Sequence, residues 1–369
     1  MDLVYFGSVA WGYTFQRSQQ IASRLARKAR VVYVDPLGLR NPRLADLRRF
    51  LPRPEGSPSP RPEGLRVLER SALASPFHDT ASDRANAFLL RRALAPLVSE
   101  GAVFLLSLPS PPALAAALSL APRLLVYDCH DDYAAFHGAS PRIRADEDRL
   151  LLEADVVLAS AGALASRLRL AGKDPVLVPN AADVAHFGVE ATPPPDVASL
   201  PRPRIGFLGE IGPWFATEAV ASAARARPDW TFVLVGPVTT PLLGGLLSLP
   251  NVHLVGRRPY SALPGYLWSF DCALLPFREG PLTSAVSPIK IYEYFAAGRP
   301  VVSTPLPEVE ALRHLATIVA SGDLVRGIED ALLAPSRAEE ARRFARENTW
   351  DHRVATILGA LGKARRATE

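Results

Sequence analysis

The stretch SPIKIYEYFAAGRPVVST, residues 287–304, reads as a helix followed at once by a buried strand. Ser287 is a suitable N-cap and Pro288 a suitable first helical residue, so a helix is predicted to run from there to about Ala297, with Gly298 as its stop. The apolar run that follows has the length of a strand. Lys290 falls in the first helical turn, where the helix end already carries partial positive charge. It is misplaced unless an anion lies in front of it, and a diphosphate fits that role. Glu293, three residues on, shares its face. The plain alternative is an ordinary surface ion pair.

Outward from this segment, short apolar runs alternate with helical stretches, the pattern of parallel sheets covered by helices. In the first half, strands are predicted at 2–6, 30–34, 64–69, 102–106, 123–127, 155–159 and 175–178, and helices at 15–28, 81–98, 111–119, 142–153 and 161–171. The proline-rich GVEATPPPDVASLPRPR, residues 188–204, favours an extended connection. The alternation restarts at Arg204, with strands near 204–208, 231–235, 251–255, 271–275, 300–303 and 315–319. Helices are predicted near 214–227, 240–248, 262–269, 289–298 and 322–333, and along 336–365. The fold predicted is α/β, with two Rossmann-like doubly wound parallel-sheet domains. The first covers 1–190, a linker 191–203 and the second 204–350, with a C-terminal helix over 351–369 packing back on the first domain. Ligands of such sheets bind beyond the carboxyl ends of the strands, so the strand-to-helix loops and the cleft between domains are where chemistry is expected.

Composition narrows the classes. The 369 residues are 48% hydrophobic and 21% charged, which is globular, and the length suits two α/β domains. Two cysteines, Cys129 and Cys272, lie far apart with no metal-ligand spacing, which argues for a reducing compartment and against a structural zinc. The N-terminus has no basic segment ahead of an apolar stretch and reads as a first strand rather than a signal peptide. Residues 101–122 carry no charge, but Pro109, Pro111, Pro112 and Pro122 interrupt them as a span. The net charge of +5 permits an anionic partner. Arg48, Arg49 and Arg53 sit beside Leu44, Leu47, Phe50 and Leu51, a grouping suited either to an anionic membrane surface or to solvent. No aromatic-interleaved basic stretch points to nucleic acid. A cytoplasmic protein, touching the inner face of the membrane if residues 40–53 bind lipid, is the expectation.

Two segments of the first half carry candidate chemistry. TyrAspCysHisAspAspTyr, residues 127–133, follows a buried strand. His130 is a candidate acceptor-side base, with Asp131 or Asp132 orienting it; helix capping is the bland alternative. In the first loop, GSVAWGYTFQRSQQ at 7–20, Gly12 permits close backbone approach, while Gln16 and Arg17 open the next helix. Trp11 suits stacking on a sugar face or burial in the core.

The run from Glu293 to Val302 resembles the donor-site helix and following strand of GT-B glycosyltransferases, especially the large family often called family 4. ProAsnAlaAlaAsp at 179–183 is similar to that family's Pro-Asn-Gly-Val-Asp segment. ArgIleGlyPheLeuGly at 204–209, with Glu210 next, resembles the first strand and glycine loop of its donor domain, and 232–237 and 251–256 resemble the next strands. The resemblance implies a GT-B fold, a nucleoside-diphosphate sugar (UDP, GDP or dTDP) as co-substrate and no other cofactor. It gives the carboxylate of Glu293 to the ribose hydroxyls and Lys290, Arg257 or Arg258 to the diphosphate, with Gly209, Glu210, Ser284 and Ser287 lining the donor site. One departure stands out: the family commonly carries an additional glutamate at the position of Ala285, which leaves the retaining or inverting outcome open. The variant around Lys290 resembles a subgroup associated with cell-surface polysaccharide and teichuronic-acid-type synthesis, implying a saccharide or lipid-linked acceptor.

Glycosyl transfer builds negative charge on the departing diphosphate, and stabilising it is the main task. No Asp-x-Asp occurs in a strand-end context, so Lys290 and the helix end are expected to do this without a metal. A nucleotide-sugar epimerase of the same fold and a non-catalytic sugar-nucleotide-binding protein are the alternatives.

Overall fold

The computed structural model describes residues 2–37, 61–69, 79–136, 138–241, 243–334 and 337–368. They form two compact units, Met1–Pro179 with Arg353–Glu369, and Asn180–His352. The first holds a seven-stranded sheet in the order β3-β2-β1-β4-β5-β6-β7. Its strands are β1 Asp2–Phe6, β2 Arg30–Val34, β3 Leu65–Leu68, β4 Val103–Leu106, β5 Leu124–Cys129, β6 Val156–Ala159 and β7 Val176–Leu177. The second holds six, β8 Arg204–Leu208, β9 Thr231–Val235, β10 Val252–Gly256, β11 Cys272–Leu275, β12 Val301–Ser303 and β13 Thr317–Ile318, in the order β10-β9-β8-β11-β12-β13. Every pairing is parallel. Central strands such as β1, β4, β8 and β9 are buried along their whole length, as helices on both faces require.

Each sheet reverses its winding once, between β1 and β4 and between β8 and β11. In the second unit β8 and β11 pair only through Ile205 with Cys272 and Gly206 with Ala273, so beyond those residues the strands part. Such a switch point is where an open α/β sheet has room for a ligand.

Three expectations change. The proline-rich stretch is not a connection between units: Val197 is fully buried in the core of the second unit, and the Arg204 guanidinium donates to the Ala198 and Leu200 carbonyls at 2.7 and 2.6 Å. The helix expected over 240–248 is a single turn, Gly244–Leu247. The long C-terminal helix is broken into Ala338–Glu347 and Trp350–Thr368, because Asn348 leaves helical geometry (φ −116°, ψ 62°) and the neighbouring Thr349 bridges to Ala182.

Candidate functional site

The helix expected in the second unit spans Ile289–Ala296. Its cap is Pro288, in extended geometry, one residue later than the sequence suggested. Ser287 is occupied otherwise: its hydroxyl accepts the Asn180 N–H at 3.3 Å and its carbonyl accepts Asn180 Nδ2 at 2.5 Å. At the far end Gly298 takes φ +66°, and the Arg299 N–H returns to the Tyr294 carbonyl at 3.0 Å, the left-handed stop that a glycine there allows. The Leu208 N–H, near where β8 and β11 diverge, donates to the Tyr294 hydroxyl at 2.9 Å. One side chain thus fixes the helix against the strand end.

On this helix Lys290 Nζ donates to Glu293 Oε2 at 2.8 Å, with the two side chains 22% and 2% exposed. Among the described residues nothing donates to Glu293 Oε1. Burial pushes the Glu293 carboxyl above the ordinary value; Lys290 and His186 draw it back without cancelling the effect, and Asp183 adds to the rise. His186 Nε2 donates to the Tyr260 carbonyl at 2.9 Å, and the two rings stack at 4.2 Å. Asp183 and His186 therefore lie near the pair, with Tyr260 packed on His186 and its hydroxyl donating to Asp183 at 3.4 Å, although sequence reasoning singled out none of them as a site residue. Asp183 closes the quoted ProAsnAlaAlaAsp, which was the available signal.

The other donor-side candidates fall in different places. Gly209 follows β8, and its carbonyl lies 1.8 Å from where a Cβ on Gly236 would sit, so this backbone contact requires a glycine at 236. Glu210 accepts the Thr239 hydroxyl at 2.7 Å. Arg258 is taken up by the Tyr266 hydroxyl at 2.7 Å and Asp196 at 2.9 Å, and Arg257 is exposed. Ser284 is exposed and donates to the Pro281 carbonyl at 2.8 Å, and Ala285 is buried. Arg278, which the sequence did not single out, follows β11 and donates through Nε to the Phe215 carbonyl at 3.1 Å.

In the first unit the candidates gather at the carboxyl ends of β1, β4 and β5. Arg17, 2% exposed, donates to both Asp128 oxygens, Nη2 to Oδ1 at 2.7 Å and Nε to Oδ2 at 3.0 Å, and Nη1 donates to the Val178 carbonyl at 2.9 Å. The Tyr5 hydroxyl adds a bond to Asp128 at 3.2 Å. Burial alone raises the Asp128 carboxyl, but Arg17 outweighs it and holds the group below the ordinary value. Arg17 is thus a buried ion-pair partner at the helix start. Gln16 caps that helix, its N–H donating to Gln19 Oε1 at 3.0 Å. Trp11, 1% exposed, packs edge-on against Tyr33 at 5.0 Å between centroids; it is the core residue of the two alternatives. Around Gly12 the space beside the backbone is open.

His130 lies in the same cluster, with Nδ1 3.1 Å from the Asp128 carbonyl and Nε2 3.1 Å from the Ser8 hydroxyl and 3.0 Å from that of Tyr133. Asp131 stands 3.9 Å from Nε2, and burial raises its carboxyl despite His130 and Arg17. Asp132 caps the turn Tyr133–Ala135 and pairs with Arg144 at 2.9 Å, so it supports the loop rather than the histidine. Asp128 was missed as a site residue, though a charged residue inside the apolar LLVYDC was a visible sign that something opposite neutralises it. Residues 40–53, suggested as a membrane contact, lie outside the described residues. Among the described residues no helix is long and apolar enough to cross a membrane.

Two doubly wound parallel sheets in series are the arrangement of the GT-B fold, and whole-chain comparison agrees. A sucrose-phosphate synthase from Thermosynechococcus elongatus matches with TM-score 0.74 and 16% identity over 100% of both chains. HepE from Anabaena, solved with UDP and glucose, matches with TM-score 0.69 and 15% identity over 98% of this chain and 99% of that one. Residues 202–337, within the second unit, match the family described as Glycosyl transferases group 1. A Bacillus subtilis protein named as a teichuronic acid biosynthesis glycosyltransferase, TuaH, is 32% identical over 207 residues, which take in 51% of this chain and 52% of that relative. The matched stretch thus spans about half the relative's length.

Proposed function

We propose that this chain is a glycosyltransferase that moves a sugar from a nucleoside-diphosphate donor to a hydroxyl acceptor, with Glu293 and Lys290 on the donor side and His130 on the acceptor side. The observation that carries the reading is Glu293: a buried carboxylate with one cation on Oε2 and an unoccupied Oε1 suits the paired hydroxyls of a ribose. The group 1 match around it and the UDP bound by HepE support the same assignment, and TuaH supports a cell-surface polysaccharide as the product class. Lys290 would meet the diphosphate, where charge grows as the leaving group departs, and this makes a metal unnecessary for that step. An epimerase is less favoured, because the similarity to glycosyl transferases covers the donor-side helix and strands.

A nucleotide-sugar panel, with nucleotide release followed with and without acceptor, tests the activity. For the site, Lys290→Ala and Glu293→Gln are titrated with nucleoside and with nucleoside diphosphate. Lys290→Ala is expected to lose about 1.5–3 kcal/mol for the diphosphate and little for the nucleoside. Equal diphosphate affinity in wild type and Lys290→Ala would sink the donor-site assignment. Peripheral contact of residues 40–53 with anionic lipid belongs to the same proposal. Sedimentation with anionic and neutral vesicles at low salt should differ, and equal binding to both would remove it.

A further inference from the structure

We infer that Ser8 carries the proton from the acceptor hydroxyl to His130, so that the acceptor-side base is a serine–histidine pair rather than the imidazole alone. The inference rests on the acceptor-side role proposed for His130 and extends it to a residue of a different segment, the loop that leaves β1.

The hydrogen bonds around the ring restrict where its protons sit. Nδ1 faces the Asp128 carbonyl at 3.1 Å, and a carbonyl only accepts, so Nδ1 carries hydrogen. The Tyr133 hydroxyl has one proton and donates it to the Ser107 carbonyl at 2.8 Å. With the ring neutral, the donor left for Nε2 is the Ser8 hydroxyl at 3.1 Å. Ser8 is in turn supported by Ser18, whose Oγ accepts the Ser8 N–H at 3.2 Å and stands 3.0 Å from the Ser8 oxygen. The Ser8 proton then points to Nε2, and Ser18, which also bonds the Tyr5 and Tyr33 hydroxyls, holds Ser8 from behind.

Hydrogen bonding gives the direction of approach. Ser8 and His130 are both half-buried, and Nε2 already faces the Ser8 and Tyr133 hydroxyls. An incoming hydroxyl meets Ser8 Oγ, which keeps a lone pair for it whichever way the Ser18 proton points. Transfer then balances in one concerted shift. The acceptor O–H breaks and its proton passes to Ser8 Oγ, while the Ser8 proton passes to Nε2. The freed oxygen pair forms the bond to the anomeric carbon as the carbon–phosphate-oxygen bond breaks. The imidazolium so formed lies 3.9 Å from Asp128 Oδ2 and 3.9 Å from Asp131 Oδ2; Arg17 on Asp128 is the opposing charge.

The test combines imidazole nitrogen NMR with kinetics, the His130 signal being assigned by its loss in His130→Gln. Wild type at alkaline pH should show hydrogen on Nδ1 and a hydrogen-bonded acceptor at Nε2, and in Ser8→Ala the Nε2 resonance should move toward that of a free ring nitrogen. Ser8→Ala should lower turnover by about tenfold or more with nucleoside diphosphate affinity unchanged, and Ser8→Thr, which keeps the hydroxyl, should recover most of it. Hydrogen on Nε2 in the neutral wild-type ring overturns the relay. Full turnover in Ser8→Ala together with loss in His130→Gln overturns the relay but leaves the histidine as base. Full turnover in His130→Gln overturns the role of the histidine and the relay with it. If Ser8→Ala does not fold, the wild-type tautomer and the Ser8→Thr turnover decide between the same outcomes.

Discussion

Asp128 in the first unit and Glu293 in the second are both buried, 0% and 1% exposed, yet their surroundings move them in opposite directions. Asp128 receives a two-pronged guanidinium and a tyrosine hydroxyl. Glu293 receives one ammonium from its own helix, with Asp183 as a like charge nearby. Desolvation penalises the ionised form of both, and the number of donors decides the direction of the net shift. A carboxylate saturated by its own chain is architecture. One left short of donors has capacity for hydroxyls from outside.

The largest effect that probes this contrast is on stability. Arg17→Ala strands Asp128 in the core and should cost about 3–5 kcal/mol in urea unfolding. A loss below about 1 kcal/mol would mean the pair does not hold the first unit. Glu293→Gln should behave in the opposite way. It removes an underpaired buried charge, so stability should hold or rise while nucleoside affinity falls by roughly 1.5–3 kcal/mol, measured by calorimetric titration. Destabilisation as large as that of Arg17→Ala would erase the distinction.

The pH dependence sharpens it further. With a lowered folded value, Asp128 contributes stability above the ordinary aspartate range near 3.9, lost as pH falls through its folded value. Glu293 has a raised value, so its contribution is present below about 4.3 and is lost as pH rises from there through the folded value. Over that upper window Glu293→Gln should gain stability relative to wild type, while wild-type nucleoside binding strengthens as the carboxylate ionises. Parallel stability curves for the two proteins would contradict this assignment. The smallest effect expected is that of Arg258→Ala. Its guanidinium pairs with Asp196 where the two side chains are 35% and 41% exposed, so stability should change by about 0–1 kcal/mol and nucleotide affinity should not move.

The sheets were legible because the central strands are short and mainly apolar, with polar residues such as Asp2, Asp128 and Arg204 at or near their ends, and most of the helices between them carry polar residues. The contact between Lys290 and Glu293 was legible because their spacing places both on one face of the helix. Arg258 and Trp11 show the limit. An arginine beside a strand end and a tryptophan in a glycine-flanked loop look like ligands in one dimension, but Asp196 and Tyr33, which occupy them, come from distant parts of the chain. The proline-rich stretch misled for a similar reason, since composition gives stiffness and says nothing of Val197 reaching a core.

The chain leaves the first unit after Pro179 and rejoins it at Arg353, whose Nε donates to the Pro179 carbonyl at 3.0 Å. Just inside the second unit, the Ala182 N–H donates to the Asn348 carbonyl at 2.9 Å and the Trp350 N–H to that of Ala182 at 3.4 Å. Entry and exit are therefore side by side, and in chain order the second unit is an insert between β7 and the terminal helix, whose first residues it includes. A fragment covering 180–352 begins and ends at neighbouring points, which suits it to stand alone, to accept a circular permutation, or to be grafted into another host through one surface loop. A fragment ending at residue 179 gives up the terminal helix. Separating the two units cleanly takes two cuts and one short splice.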